Sequence, residues 1–149
     1  MLMTVLVSMV PIIELRGAIP MAVGAGLPFY IAIPLAVVGN LIPVPFIIMF
    51  IKKIFAWIRR KMPKLNSMID KLEARAHSRS ETVQKSAFWG LFIFVAIPLP
   101  GTGAWTGALI AAMMDMRLKK ALPAIVAGVL TAGAIVTIVT ALGVDIFVK

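Results

Sequence analysis

The stretch PIIELRGAIP, residues 11–20, places two charged side chains inside an otherwise apolar sequence. Glu14 and Arg16 are the only charged residues in positions 1–51, and a proline lies on either side of them. A charged side chain near the centre of a bilayer costs roughly 2.5–3.5 kcal/mol on insertion scales, so such residues usually face a protein interior or a water-filled pathway. The stretch therefore predicts a polar site enclosed within a membrane protein.

The composition is that of an integral membrane protein. Hydrophobic residues make up 61% of the 149, mean hydropathy is +1.03 and 14% of residues are charged, against about 25% in soluble domains. We expect a single membrane domain over residues 1–149. The chain has no cysteine and one histidine, His77, so we expect no metal and no cofactor. The scarcity of polar catalytic groups argues against an enzyme.

The net charge of +9 is concentrated in one segment. Residues 52–85 contain ten Lys/Arg and three Asp/Glu, a net charge of +7, and hydrophobic stretches lie on both sides. A basic segment between hydrophobic stretches is typical of a cytoplasmic loop under the positive-inside rule. We expect anionic lipid headgroups as its partner, and no nucleic acid.

Four apolar blocks organise the chain: residues 1–28, 31–51, 88–114 and 121–143. The second and fourth have 21 and 23 residues, enough for one membrane span of about 20 residues. The first and third are each broken near the middle by proline and glycine, which interrupt helical hydrogen bonding. Two interpretations stay open for these blocks, a kinked span or a re-entrant hairpin that enters and leaves on one side.

Charge placement favours the hairpin. Arg117, Lys119 and Lys120 follow the third block, which puts its exit on the cytoplasmic side, where its entry already lies. The second and fourth blocks then cross completely, and the first enters from the outer face. We therefore expect the N-terminus outside and residues 52–87 as a cytoplasmic amphipathic helical connector.

The two halves of the chain resemble each other. The octapeptide PLAVVGNL at residues 34–41 aligns with PAIVAGVL at residues 123–130, an offset of 89 residues. Each half, residues 1–51 and 88–149, would then consist of a re-entrant hairpin and a transmembrane helix, inserted in opposite senses. An all-α inverted repeat with broken helices that meet near the midplane is the recurrent plan of secondary transporters.

The first hairpin tip carries Glu14 and Arg16, two residues apart. An α-helix would direct the two side chains to opposite faces, whereas an extended chain directs both the same way. The flanking prolines favour a non-helical conformation, and Gly17 permits a tight turn. A convergent pair would place a proton-titratable carboxylate beside a fixed cation for an anionic group. The alternative is a mutually neutralising pair that only braces the hairpin.

The second tip reads PLPGTGAWTG, residues 98–107. Thr102 is expected to be the N-cap of a half-helix that runs to about Met114. The free N–H groups and positive dipole end of that half-helix would form an anion site. The candidate pathway residues at this tip are Pro100, Gly101, Thr102, Gly103 and Trp105.

Other functions for these residues remain open. Gly103 and Gly107 belong to a stripe of small residues that allows close helix packing, with or without a substrate role. Trp105 either lines a cavity or anchors the hairpin. Asn40, within the second apolar block, is a further candidate cavity residue.

Three stretches resemble the small multi-drug export protein family of bacterial and archaeal membrane proteins. They are Glu14-Leu-Arg-Gly-Ala-Ile-Pro20, Phe88-Trp-Gly-Leu-Phe92 and Ala96-Ile-Pro-Leu-Pro-Gly-Thr-Gly-Ala-Trp-Thr-Gly-Ala-Leu109. The resemblance extends over nearly the whole chain. It implies a transporter in the cell membrane of a prokaryote.

More distantly, the chain resembles the DedA/VTT superfamily, membrane proteins with paired re-entrant hairpins associated with translocation of polyprenyl phosphates or phospholipids. Residues 98–101 are similar to one hairpin tip of that superfamily, and residues 16–24 to the other, in swapped chain order. Thr102 stands where the superfamily has an acidic residue, and its set of basic residues is reduced here to Arg16. The resemblance therefore implies Glu14 as the coupling carboxylate.

These features together predict a proton-coupled secondary transporter that moves an amphipathic substrate, a lipid phosphate, phospholipid or small drug. With so few spans, we expect a homodimer. Two alternatives stay open: a non-transporting membrane scaffold or assembly protein, and a passive lipid scramblase.

Overall fold

The computed structural model describes residues 1–83, 87–99 and 102–148, which form helices joined by short turns. In chain order the helices are α1 (Leu2–Ser8), α2 (Glu14–Gly24), α3 (Phe29–Leu41), α4 (Pro43–Lys61), a 3-10 turn (Pro63–Leu65), α5 (Asn66–Val83), α6 (Ala87–Ala96), α7 (Ala104–Met113) and α8 (Leu118–Val148).

The first and third apolar blocks are each divided into two short helices. Residues 9–13 separate α1 from α2, and residues 97–103 separate α6 from α7. The longest of these four helices has 11 residues, about 17 Å at 1.5 Å per residue, against roughly 30 Å of bilayer hydrocarbon. Neither block is therefore an uninterrupted rod.

Two apolar helices are long enough to cross a bilayer. One extends over Phe29–Lys61, 33 residues whose most apolar stretch has a mean hydropathy of 2.2, and the other over Leu118–Gly143, 26 residues whose most apolar stretch has a mean hydropathy of 2.3. In the first, α3 continues into α4 through Ile42, whose backbone is itself helical. Both exceed the span of about 20 residues that a bilayer requires.

The helix that contains the second apolar block continues into the basic segment that begins at residue 52. The helix of the second block does not end at Ile51 but continues to Lys61, because Lys and Arg are good helix formers. Arg59 then donates to Asp70 at 2.6 Å and to Glu73 at 2.8 Å, which joins the end of α4 to α5. The connector is thus a folded part of the helical structure.

The two halves share the hydrogen bonds that end the second short helix of each. α2 ends in a Schellman motif with Gly26 at a φ of 87°, and α7 ends in the same motif with Asp115 at a φ of 53°. The N–H to C=O pairs, at an offset of 89 residues, are Leu27 to Ala22 and Gly26 to Val23, and Met116 to Ala111 and Asp115 to Ala112. The offset equals that of the two octapeptides in the sequence.

Close helix contacts depend on glycines without a side chain. A Cβ atom on Gly128 of α8 would lie 2.7 Å from the Val95 Cβ on α6. A Cβ on Gly107 of α7 would lie 2.6 Å from a methyl group of the same valine. In the other half, a Cβ on Gly39 of α3 would collide with Ser8 of α1. Small residues therefore let the short helices approach the long ones closely, as is common in membranes.

We expect Gly128→Ala to destabilise the protein by about 1–3 kcal/mol, because the added methyl overpacks the contact with Val95. The free energy of unfolding in mixed detergent micelles measures this. Gly143→Ala in the same helix is the matched control, since nothing lies within 4 Å of its added Cβ. Equal stability of the two variants would show that α6 and α8 are not in this contact.

Candidate functional site

The two helix breaks lie against each other, and their contact brings the charged pair to the second tip. Glu14 is the first residue of α2, with a φ of 49°, and Arg16 lies within that helix. The expected non-helical conformation of Glu14 to Gly17 is therefore wrong. The left-handed backbone at Glu14 turns the chain into α2, and both side chains still reach residues 97–105.

Glu14 binds the free N-terminal end of α7. Its side chain is 4% exposed, and Oε1 accepts a hydrogen bond from the Trp105 backbone N–H at 3.2 Å. Trp105 is the second residue of α7, so its N–H is one of the groups that the helix itself leaves unbonded. The predicted anion site of this half-helix thus holds a carboxylate of the chain itself, 91 residues away.

Gly103 makes the approach of Glu14 to α7 sterically feasible. A Cβ on Gly103 would collide with all three carboxylate atoms of Glu14. Gly103 also adopts the extended backbone of an N-cap, with φ −98° and ψ −166°. The absence of a side chain at Gly103 therefore leaves the space that the Glu14 carboxylate occupies.

Arg16 binds carbonyl groups in the segment that follows α6. Its guanidinium donates to the Leu99 carbonyl, to the Thr102 carbonyl at 2.9 Å and to the Ile97 carbonyl at 3.4 Å. These oxygens lie beyond the C-terminal, electronegative end of α6. Glu14 thus binds the N-terminal end of α7, and Arg16 binds the carbonyls that follow the C-terminal end of α6. These two helix ends lie on either side of the break in the second half.

Thr102 does not cap α7, so that prediction is wrong. The N-cap is Gly103, which makes no side-chain cap, and the Thr102 hydroxyl turns back into the loop. It lies 2.6 Å from the Ile97 carbonyl and 2.8 Å from the Leu99 carbonyl, and it accepts from Arg16 at 3.1 Å. Thr102 therefore closes the loop that Arg16 binds, and Glu14 takes the capping role.

The Trp105 side chain forms a hydrogen bond with the first tip. Its indole Nε1–H donates to the Met9 carbonyl at 2.9 Å. Met9 is the C-cap of α1, so this bond satisfies a carbonyl at the open end of the first broken helix. Each tip thus supplies a donor to the other.

Glu14 and Arg16 are not paired directly. Within the described part of the chain, the ion pairs within 4.0 Å are Lys52–Asp115, Arg59–Asp70 and Arg59–Glu73. The charges at the first tip are stabilised instead by peptide groups of the second tip. Glu14 and Arg16 therefore connect the two halves of the chain more than they neutralise each other.

Asn40 lies at the same site. It is 1% exposed, and its Oδ1 has no hydrogen-bond partner among the described residues. It lines a narrow cleft together with Glu14, Leu15, Arg16, Val95, Gly103, Ala104, Val129 and Ala132. No water-sized sphere fits inside this cleft, so the tips are closed on each other.

Pro100 and Gly101, the remaining candidates from the sequence, lie outside the described residues. Met9, Ile97 and Leu99 were not predicted as site residues, because they take part through backbone carbonyls and not through side chains. Their only signal is position, immediately after a short apolar helix ends.

The described residues contain no cluster of three or more His, Asp or Glu that would hold a metal ion. The site instead combines one carboxylate, one guanidinium, helix ends and an unpartnered amide oxygen. Such a site can bind or release a proton and can bind a polar group when the tips separate.

The fold is helical, with two helices long enough to cross a membrane and two broken helix pairs joined at their breaks. Residues 14–135 match the model of the family described as "Putative small multi-drug export protein". The match covers most of the chain, including Glu14, Arg16 and the second tip, and the chain belongs to this family. The family is one of exporters and not of enzymes, which agrees with a membrane location for the two long apolar helices.

No curated protein and no solved structure matches this chain. The family description and the geometry of the site are therefore what the functional proposal draws on.

A double-mutant cycle tests the contact of Glu14 with Gly103. We expect Glu14→Ala to cost about 0.5–2 kcal/mol through the lost cap and Gly103→Ala about 1–3 kcal/mol through the clash. In the double variant the clash is absent, so the two effects should fall short of additivity by about 1 kcal/mol or more. The free energy of unfolding in mixed micelles is measured for the wild type, the two single variants and the double variant.

Gly24→Ala replaces Gly103→Ala in the control cycle, since its Cβ would meet nothing within 4 Å. Its effect should add to that of Glu14→Ala. Strict additivity in the Gly103 cycle would instead show that the carboxylate does not lie against this glycine.

Proposed function

We propose that this protein is a DedA-like, proton-coupled secondary transporter that moves an amphipathic substrate, a lipid phosphate, phospholipid or small drug. The path runs through a site near the membrane midplane, between two re-entrant hairpins, α1–α2 and α6–α7. Candidate pathway residues are Glu14, Arg16, Asn40, Pro100, Gly101, Thr102, Gly103 and Trp105. The observation that carries the proposal is the Glu14 carboxylate of one half bound to the α7 end in the other.

The helix lengths support the re-entrant arrangement. Four short apolar helices that each fail to span a bilayer come in two pairs, and the long helices after each pair are of spanning length. The Schellman motifs at an offset of 89 residues support an internal repeat of hairpin plus span. Broken helices that meet inside such repeats form the substrate and ion sites of many secondary transporters.

Protonation of Glu14 would loosen the contact between the tips. A carboxylate at a helix N-terminus contributes about 0.3–1 kcal/mol through the helix dipole, and up to about 2 kcal/mol when partly buried. Hydrogen bonds to charged groups contribute roughly 1.5–3 kcal/mol. Loss of the charge therefore changes the closed-to-open ratio by about tenfold per 1.4 kcal/mol. That is sufficient to couple a proton to the opening of the cleft.

Arg16 would bind the substrate once the tips part. In the closed form its guanidinium donates to the carbonyls of Ile97, Leu99 and Thr102. An opened tip releases a planar donor group suited to bidentate binding of phosphate or carboxylate. Return of Arg16 to the carbonyls closes the site after release.

The charge distribution supports the proposed topology. The N-terminus lies outside the cell, and the basic connector lies in the cytoplasm against anionic headgroups, as the positive-inside rule favours. A homodimer would supply a larger transmembrane structure than two spans alone.

Transport by Glu14→Gln tests the proposal. Gln keeps an acceptor oxygen for the Trp105 N–H but cannot carry a proton, so the variant should fold and lose gradient-driven flux by tenfold or more. Proteoliposomes with an imposed pH gradient are measured with ethidium and with a fluorescent phosphatidylglycerol as probes. Asp115→Asn is the matched acid-to-amide control, since Asp115 is a surface residue with a backbone that Asn also tolerates.

The two alternatives give other results. A passive scramblase would exchange the labelled lipid equally in wild type and Glu14→Gln, whatever the pH gradient. A scaffold would move neither probe, and its tip variants would change only stability. Full gradient-driven flux in Glu14→Gln would remove the carboxylate from the mechanism.

A further inference from the structure

Asn40 has a buried polar group that the closed structure leaves unsatisfied. Its Oδ1 has no hydrogen-bond partner among the described residues, and its side chain is 1% exposed. Buried polar atoms without a partner are rare, and each calls for a physical reason. Asn40 lines the same cleft as Glu14, so an amide without a partner and a titratable residue belong to one site.

Packing does not require an amide at this position. Asn40 follows Gly39 in the first octapeptide, and the matching position after Gly128 is Val129. Val129 lines the same cleft and is fully buried. An apolar residue therefore suits the equivalent site of the second half, and Asn40 departs from it in a cleft that Glu14 also lines.

We infer that Asn40 Oδ1 is the acceptor for the protonated carboxyl of Glu14, so that the two residues form the proton site of the cleft. The inference rests on the proposed proton coupling and makes Asn40 its positioning residue. In the charged state Glu14 accepts from the Trp105 N–H. A proton from the aqueous phase adds to a carboxylate oxygen, and the new O–H donates to Asn40. On release the same O–H bond breaks and the proton returns to water.

The surroundings favour a proton over a metal cation. The cleft has no space for a water-sized sphere, and its ionisable lining is one carboxylate and the guanidinium of Arg16. A cation would be repelled by Arg16 and would find few oxygens, whereas hard cations such as Mg²⁺ and Ca²⁺ take six or more oxygen ligands. A carboxylic acid needs a single acceptor.

Other charged groups near Glu14 are few. The sequences of α1, α3 and α7 contain no Asp, Glu, Lys, Arg or His. On α8, Lys119 and Lys120 lie in the first turn, about 13 Å or more along the helix from Val129 at 1.5 Å per residue. Arg16 is thus the charged neighbour that a proton on Glu14 would sense.

The experiment follows protonation of Glu14 directly by infrared spectroscopy of the purified protein in lipid. The carbonyl stretch of a protonated carboxyl is separate from the carboxylate bands, and the difference between wild type and Glu14→Gln assigns it to Glu14. We expect Asn40→Val to weaken proton binding about tenfold, a shift of roughly one pH unit in the midpoint, equal to 1.36 kcal/mol. An unchanged midpoint would overturn the inference.

Asn66→Val is the matched control. Asn66 also has a buried Oδ1 without a partner, but it lies at the start of α5, away from the cleft. Its substitution should leave the Glu14 midpoint unchanged, and an equal shift would overturn the specific role of Asn40. Replacement of potassium by sodium at constant ionic strength should also have no effect, whereas a sodium-dependent midpoint would indicate a sodium site instead.

The readout does not depend on transport. If the midpoint of the Glu14 band shifts in Asn40→Val but the wild type shows no flux, the transporter is refuted and the contact between Glu14 and Asn40 stands. Flux that is lost in Glu14→Gln but is identical in pH profile for Asn40→Val and wild type would leave the transporter and refute the pair. The two failures are therefore distinguishable.

Discussion

The structure depends on the binding of two open helix ends by opposite charges from the other half of the chain. A helix that stops inside a membrane leaves N–H and C=O groups without water, at several kcal/mol for each unsatisfied group. Glu14 binds the N-terminal end of α7, and Arg16 binds carbonyls beyond the C-terminal end of α6. The cost of two charges in an apolar environment is offset because each one satisfies a broken backbone.

The same contact explains why the tips form one site. Trp105 binds the carbonyl at the end of α1, Gly103 admits the Glu14 carboxylate, and glycines on the long helices bring the short ones near. Because hydrogen bonds and charges provide much of the contact between the tips, a change of charge alters the contact more than it alters the apolar core.

Much of the fold was predictable from the sequence, since hydrophobic blocks and the prolines that break them are local properties. The division of residues 1–28 and 88–114 into short helices is confirmed. The direction of Glu14, the role of Thr102 and the continuation of the helix past Ile51 to Lys61 were not predicted. The contacts of Glu14 and Thr102 depend on backbone groups from distant parts of the chain, which no pattern of side chains records. The helix continues to Lys61 because Lys and Arg favour helix even where the sequence is no longer apolar.

The most direct measurement is the distance between the tips in lipid, by double electron–electron resonance of spin labels at Ile12 and Leu99. The chain has no cysteine, so two introduced cysteines would be the only labelling sites. If Glu14 and Arg16 hold the tips together, the otherwise unchanged protein, diluted with unlabelled protein so that one chain per dimer is labelled, gives one short, narrow distance. Replacement of both charges by Ala should give a longer, broader distribution. The same narrow distance with and without the charges would contradict their role.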